Sequence, residues 1–164
     1  MLNDLSIRKS NLNDKDFILQ MLMYASHEDS IDDVRTQPAL MAYAEDWGKT
    51  GDRGFIAVER DRAIGASWIR LGTATNKGFG YLDDTTPELV VATLPAVRGR
   101  GIGTLLINRL IEEINPFYPA ISLSVRDNNP AVNLYQKLGF VKITGSEIVN
   151  RVGGLSFIMK KSFK

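Results

Sequence analysis

The sequence predicts a single α/β domain, and three observations predict it. Segments with apolar residues three and four apart alternate along the chain with short segments of two-residue alternation. Two β-type runs flank a short polar turn, Arg60-Asp61-Arg62, and read as a hairpin. An apolar run, Leu89-Val90-Val91-Ala92, leads into Val97-Arg98-Gly99-Arg100-Gly101-Ile102-Gly103-Thr104, and an amphipathic run from Ile102 to Ile114 leads out. A strand that passes through a Gly-rich turn into a helix is a building block of α/β folds. The chain shows no repeat, low-complexity segment or linker. Its 164 residues suffice for one substantial core, so one domain over 1–164 is expected.

Leu5-Ser6-Ile7-Arg8 alternates as a first strand. Asn13 or Asp14 can cap a helix that carries Phe17, Ile18, Met21, Leu22 and Ala25 and runs to about Ser26. Glu28 to Thr36 is acidic and polar, and is expected as loop. Pro38 suits the first turn of a second helix with Leu40, Met41, Ala44 and Trp47, ended by Gly48 and Gly51. Phe55–Glu59 and Ile64–Leu71 form the hairpin, and 73–80 reads as a flexible loop. Strand four spans Glu88–Leu94, and its helix is stopped by Pro116. Ile121–Val125 is strand five. Asn129 as cap and Pro130 at the first helical position start a helix with Ala131, Leu134, Tyr135 and Leu138 on one face and Gly139 as its terminator. Phe140–Ile143 and Leu155–Met159 are the last strands, separated by a polar loop from Ser146 to Gly154. The total is about seven strands and about four helices.

Composition narrows the function. Twenty basic and nineteen acidic residues nearly cancel, so no overall field favours nucleic acid or an anionic membrane as partner. The chain has no cysteine, which excludes disulfides and thiolate catalysis and suits the cytoplasm. Met1-Leu2-Asn3-Asp4 shows no basic segment followed by an apolar core, so no signal peptide is expected, and no apolar run approaches spanning length. One histidine, His27, argues against a His-rich metal site, so no metal is expected.

The Gly-rich junction is the chemical signal. Glycines at alternate positions let the backbone turn tightly and bring N–H groups close to a ligand. A helix that starts there aims unpaired N–H groups and its positive dipole end at the same place, which makes an anion cradle suited to phosphate or pyrophosphate. No Gly-Lys pair precedes Ser or Thr, so the junction is not a Walker loop. In a dinucleotide fingerprint begun at Gly99 the last glycine would be Thr104, and in one begun at Gly101 it would be Leu106. A plain strand-to-helix turn is the bland alternative.

The remaining pattern, Arg98-x-x-Gly101-x-Gly103, resembles the R/Q-x-x-G-x-G/A loop of the Gcn5-related N-acetyltransferase (GNAT) superfamily. A second run, Asn129-Pro130-Ala131-x-x-Leu134-Tyr135-x-x-x-Gly139-Phe140, resembles that superfamily's second signature, and the order of elements is similar over essentially the whole chain. The resemblance implies a central mixed, mostly antiparallel sheet, splayed between strands four and five. It implies acetyl-CoA as cosubstrate and direct attack of an amine on the thioester. The backbone of Val91, Ala92 and Thr93 would pair with the pantetheine arm as an added strand. Arg98, Gly99, Arg100, Gly101, Ile102, Gly103 and Thr104 would hold the pyrophosphate, with side-chain charge from Arg98 and Arg100. Asn129 is favoured over the adjacent Asn128 as a cofactor-facing residue, because Pro follows it. Tyr135 matches the family's general acid for the departing thiolate.

Other roles stay open at this level. Glu88 lies where some family members keep a catalytic Glu, and is the candidate base. It can equally be a strand-end carboxylate, with Asp83, Asp84 and Glu147 as further candidates and a water chain as an alternative. His27 could face the acceptor or simply the solvent. The acceptor is expected to be an amine-bearing small molecule or peptide. Asp29, Asp32, Asp33, Glu45 and Asp46 would suit a cationic amine, or be ordinary solvated charges. A homodimer is compatible with the sequence. Two alternatives remain beside the enzyme: a non-catalytic acyl-CoA-binding sensor of the same fold, and a nucleotide-binding domain of another fold.

Overall fold

The computed structural model describes residues 4–163. In chain order the elements are β1 (Leu5–Lys9), α1 (Lys15–Ala25), α2 (Ile31–Arg35), α3 (Pro38–Met41), β2 (Arg53–Glu59), β3 (Arg62–Arg70), β4 (Glu88–Thr93), α4 (Ile102–Ile114), β5 (Ala120–Arg126), α5 (Ala131–Lys137), β6 (Val141–Lys142), β7 (Ile148–Val149) and β8 (Leu155–Ser162). The fold is mixed α/β, with mostly antiparallel strand pairs and one parallel pair. The chain divides into two compact units: the chain up to Arg70 with Leu89–Ile114, and Leu71–Glu88 with the chain from Asn115 onward.

In the first unit the strands lie in the order β1-β2-β3-β4. β1 and β2 run antiparallel from Leu5↔Glu59 to Lys9↔Phe55. The β2–β3 hairpin turns on Arg60 (φ 53°) and Asp61 (φ 63°), a left-handed pair whose twist matches that of the strands it joins. The β2–β3 ladder shifts register between Ala57 and Val58. β4 is tied to β3 where the Leu94 N–H donates to the Ile64 carbonyl at 2.8 Å. α4 packs on β2 and β3 through Ile102, Leu106, Ile107, Leu110 and Ile114, all almost fully buried at helical spacing. Each such side chain contributes about 1.5–3 kcal/mol. Gly65 allows this approach, since a Cβ there would lie 3.0 Å from Thr93 Cγ2 and 3.1 Å from Leu106 Cδ1.

One local expectation for this unit is refined and two are corrected. Asp14 is the N-cap residue of α1, one of the two expected, but its side chain makes no capping bond to α1; the capping box sits on the preceding 3₁₀ turn Leu12–Asp14, where Asn11 Oδ1 accepts from the Asn13 N–H (2.8 Å) and Asp14 Oδ2 accepts from the Asn11 N–H (2.8 Å). The Asp14 carboxylate also accepts a two-pronged pair from Arg8, at 2.7 and 2.8 Å. Residues 28–36, expected as loop, contain α2: the Ser30 hydroxyl accepts from the Asp33 N–H at 3.1 Å, and Val34 is fully buried. One cap and one apolar anchor suffice for a single turn in a stretch whose composition looks like loop. Regular α-helix in the next segment stops at Met41, and turns carry the chain to Gly48 (φ 104°). That segment is clamped by Arg70, which donates to both carboxylate oxygens of Asp52 (3.1 and 2.7 Å) and to the carbonyls of Ala42 and Glu45 (3.1 and 2.7 Å).

In the second unit β5 runs antiparallel to β8 from Ala120↔Ser162 to Arg126↔Ser156, and β6 pairs with β8. Glu88, the first residue of β4, pairs in parallel with Ser122 of β5. α5 starts at Ala131 with Pro130 at the cap, while Asn129 Oδ1 accepts from the Ala131 N–H (2.9 Å) in an Asx-type turn. Its end follows the expectation: Gly139 is left-handed (φ 95°) and the Phe140 N–H donates to the Tyr135 carbonyl at 2.9 Å. The stretch 146–154, expected as loop, includes β7, which pairs Ile148↔Ser156 and Val149↔Leu155. Asn150 Oδ1 accepts from the N–H groups of Val152 and Gly154 (3.1 Å each) and closes this small hairpin. A two-residue strand is too short to show a period. The described residues therefore hold eight strands and five helices, one more of each than expected.

Candidate active site

The Gly-rich junction lies in the first unit. β4 ends at Thr93, a 3₁₀ turn spans Pro95–Val97, and Arg98 is extended (φ −62°, ψ 151°) before the chain enters α4. Gly99 (φ 80°) and Gly101 (φ 78°) are both left-handed, so their lack of a Cβ is required by the backbone. Gly103 differs. Its φ is not left-handed, and a Cβ built there would meet no atom within 4 Å. Neither backbone conformation nor packing in the protein requires a glycine there, whereas a ligand pressed against the first turn of α4 would. α4 is 13 residues long, and the N–H groups of Ile102, Gly103 and Thr104 lie in its first turn, without intrahelical acceptors. The Ile102 side chain is buried in the core, so only its backbone can serve the cradle.

The two loop arginines differ. Arg98 is exposed and makes no ion pair with any described residue. Arg100 donates to Glu59 through both terminal nitrogens of its guanidinium, from Nη1 to Oε1 at 3.2 Å and from Nη2 to Oε2. The Arg100 hydrogen bond holds the Glu59 carboxyl below its ordinary range, and Glu59 raises the Arg100 guanidinium in return. Side-chain charge expected from Arg100 is thus largely committed within the protein. Sequence reading missed Glu59; the signal available was its position as the last residue before the hairpin turn. Val91, Ala92 and Thr93 form the half-buried end of β4.

The second unit holds the remaining candidates. Tyr135 lies on α5 and its ring packs on Phe140, with centroids 5.8 Å apart at 60°. The residue is half-buried, and burial pushes the pKa of its phenol up to about 12. Its hydroxyl makes no hydrogen bond to another described residue. The result is a phenol that stays protonated throughout the physiological range and has an uncommitted donor. Asn129 uses its Oδ1 in the turn before α5, leaving its amide NH₂ for any other partner. Glu88 is buried at 6% exposure against Gly80.

The three further candidate bases, Asp83, Asp84 and Glu147, each have local partners. Asp83 accepts from the N–H and hydroxyl of Thr85 (2.9 Å each), and these bonds hold it below the ordinary carboxylate range. Asp84 accepts from the Tyr81 hydroxyl at 2.5 Å, which raises that phenol. Glu147 lies 3.7 Å from Lys142. His27 is exposed in a left-handed conformation (φ 59°) just past α1. No group of three or more His, Cys, Asp or Glu among the described residues is arranged to hold a metal, and no described helix is long and apolar enough to cross a membrane.

The acetyltransferase (GNAT) family model matches residues 19–140. No curated protein gives a significant match. Among solved structures, YncA of Salmonella typhimurium, determined with its cofactor acetyl-CoA, is 21% identical with a TM-score of 0.73, over 99% of this chain and 95% of that one. A ribosomal-protein-alanine N-acetyltransferase of Brucella melitensis is 19% identical with a TM-score of 0.71, over 96% and 99%. The spermidine/spermine N-acetyltransferase SpeG of Vibrio cholerae, determined with manganese ions, is 20% identical with a TM-score of 0.64, over 98% and 93%. These likenesses extend over nearly the whole chain and show a shared fold.

Proposed function

Because this chain belongs to the acetyltransferase (GNAT) family, whose acetyl donor is acetyl-CoA, we propose that it transfers the acetyl group to a primary amine by direct attack within a ternary complex. The amine nitrogen attacks the thioester carbonyl carbon, the C–N bond forms, and the C–S bond breaks. The amine loses a proton and the departing CoA thiolate gains one. In this reading the α4 N-terminus and the backbone of 98–104 hold the pyrophosphate, and the Val91–Thr93 backbone pairs with the pantetheine arm. A β4 backbone N–H serves the developing oxyanion. Tyr135 gives its proton to sulfur, and Glu88 takes the proton of the amine.

The observation that carries the reading is the Tyr135 phenol, kept neutral to about 12 by burial and not hydrogen-bonded to another described residue. Such a group can donate as charge develops on sulfur and is not titrated away at working pH. The acceptor is an amine-bearing small molecule or peptide. The acid-rich stretch with Asp29, Asp32 and Asp33 supports a cationic one, and the solved relatives that act on spermidine and on a ribosomal-protein alanine suggest which amines to try first. The test is thiol release from acetyl-CoA against polyamines, aminoglycosides and peptides with free N-termini. Glu88→Gln is measured beside wild type and should lose most turnover at low pH, where free amine is scarce. Tight CoA binding without transfer to any amine would favour a sensor of the same fold.

A further inference from the structure

Gly80 and Ser122 form, with Glu88, a buried arrangement that the proposed mechanism does not yet use. Ser122 is fully buried on β5, and its hydroxyl donates to the Gly80 carbonyl at 2.7 Å. Its N–H donates to the Pro87 carbonyl at 3.0 Å, and its backbone is in register with Glu88. One residue thus fixes both the start of β4 and the strap that precedes it. The strap is braced on either side of Gly80: the Tyr81 N–H donates to the Gly78 carbonyl (3.2 Å), and Asp83 accepts from Thr85.

Gly80 is not left-handed, so its glycine serves space and not conformation. A Cβ at Gly80 would lie 2.8 Å from Glu88 Oε2, 2.9 Å from Glu88 Cδ and 2.9 Å from the backbone carbon of Leu123. The strap therefore rests directly on the carboxylate, held there by Ser122, and even one methyl group would have to push the strap or the carboxylate aside. A carboxylate pinned in this way loses rotamer freedom before the substrate arrives, which is what a proton acceptor of defined direction requires.

We propose that Gly80 and Ser122 are positioning residues that hold the Glu88 carboxylate, through the strap at 78–86, in the orientation from which it takes the proton of the acceptor amine. This inference rests on the proposed base role of Glu88.

The test is a double-mutant cycle on the whole chain, with turnover, KM for acetyl-CoA, CoA affinity and thermal melting measured for each protein. Gly80→Ala should lower kcat by about 10–10²-fold, the scale expected for misplacing a reacting group by about 1 Å, with KM for acetyl-CoA unchanged. In the Glu88→Gln background the same substitution should change kcat by less than about twofold, because the group it displaces no longer acts. Ser122→Ala removes the tether without adding volume. It should follow the same pattern more weakly, and it carries the test if Gly80→Ala does not fold. Equal losses from Gly80→Ala, or from Ser122→Ala in its place, with and without Glu88 would overturn the positioning role while leaving Glu88 as base. Wild-type turnover in Glu88→Gln alone would remove the base and this inference with it.

Discussion

Replacing Tyr135 by Phe removes one oxygen and leaves the rest of the residue in place. The ring keeps its packing on Phe140 at 5.8 Å. The lost hydroxyl makes no hydrogen bond to a described residue, so folding forfeits none and the substitution is near-neutral for stability at neutral pH. Burial moves the phenol ionisation from its ordinary 10 to about 12, which corresponds to roughly 3 kcal/mol in favour of the neutral form. A folded-state value raised above the unfolded one gives a contribution that is complete below about pH 10 and is lost as pH climbs towards about 12. Tyr135→Phe should therefore melt like wild type at neutral pH and resist alkali better. Its turnover should fall about 10²–10⁴-fold, or ~2.7–5.5 kcal/mol of barrier, while CoA affinity stays the same. The assay is steady-state thiol release, with calorimetric CoA binding and urea unfolding on the same two proteins. Equal turnover in both would refute the acid role and leave Tyr135 as a packing residue.

Three further outcomes follow from the geometry. Gly103→Ala should stabilise α4 by up to ~1 kcal/mol, because the site is open and a glycine leaves a helix; Gly103→Val should abolish acetyl-CoA binding in calorimetry, and unchanged affinity would remove the cradle. Asp52→Ala strands the Arg70 guanidinium, whose side chain is only 11% exposed, and should cost about 3–5 kcal/mol in urea unfolding. Burial raises the Asp14 carboxyl, but the Arg8 pair and the Asn11 N–H outweigh it and hold the carboxyl below its ordinary value. The stability this contributes is present above about pH 4 and is lost as pH falls through the lower folded value; in acid titrations followed by circular dichroism, Asp14→Asn should be less stable at neutral pH and show less of that acid loss.

What the sequence determined by itself was whatever neighbouring residues constrain. Helical and strand periods and turn signals located eleven of the thirteen elements, because which face an element buries is written in residues three, four or two apart. The left-handed turns at Gly99, Gly101 and Gly139 were legible for the same reason, since a positive φ is a property of one residue. The elements missed, α2 and β7, are too short for a period and are fastened by one or two side-chain hydrogen bonds, at Ser30 and at Asn150. The tertiary structure alone decided which charges remain available. Arg100 is bound to Glu59, 41 residues earlier, through the register of a hairpin that shifts between Ala57 and Val58. Glu88 is buried under Gly80, which is held by Ser122, 42 residues further on. Sequence names the groups able to bind phosphate or move a proton; whether each is desolvated, paired or pinned depends on partners that only the folded register brings within reach.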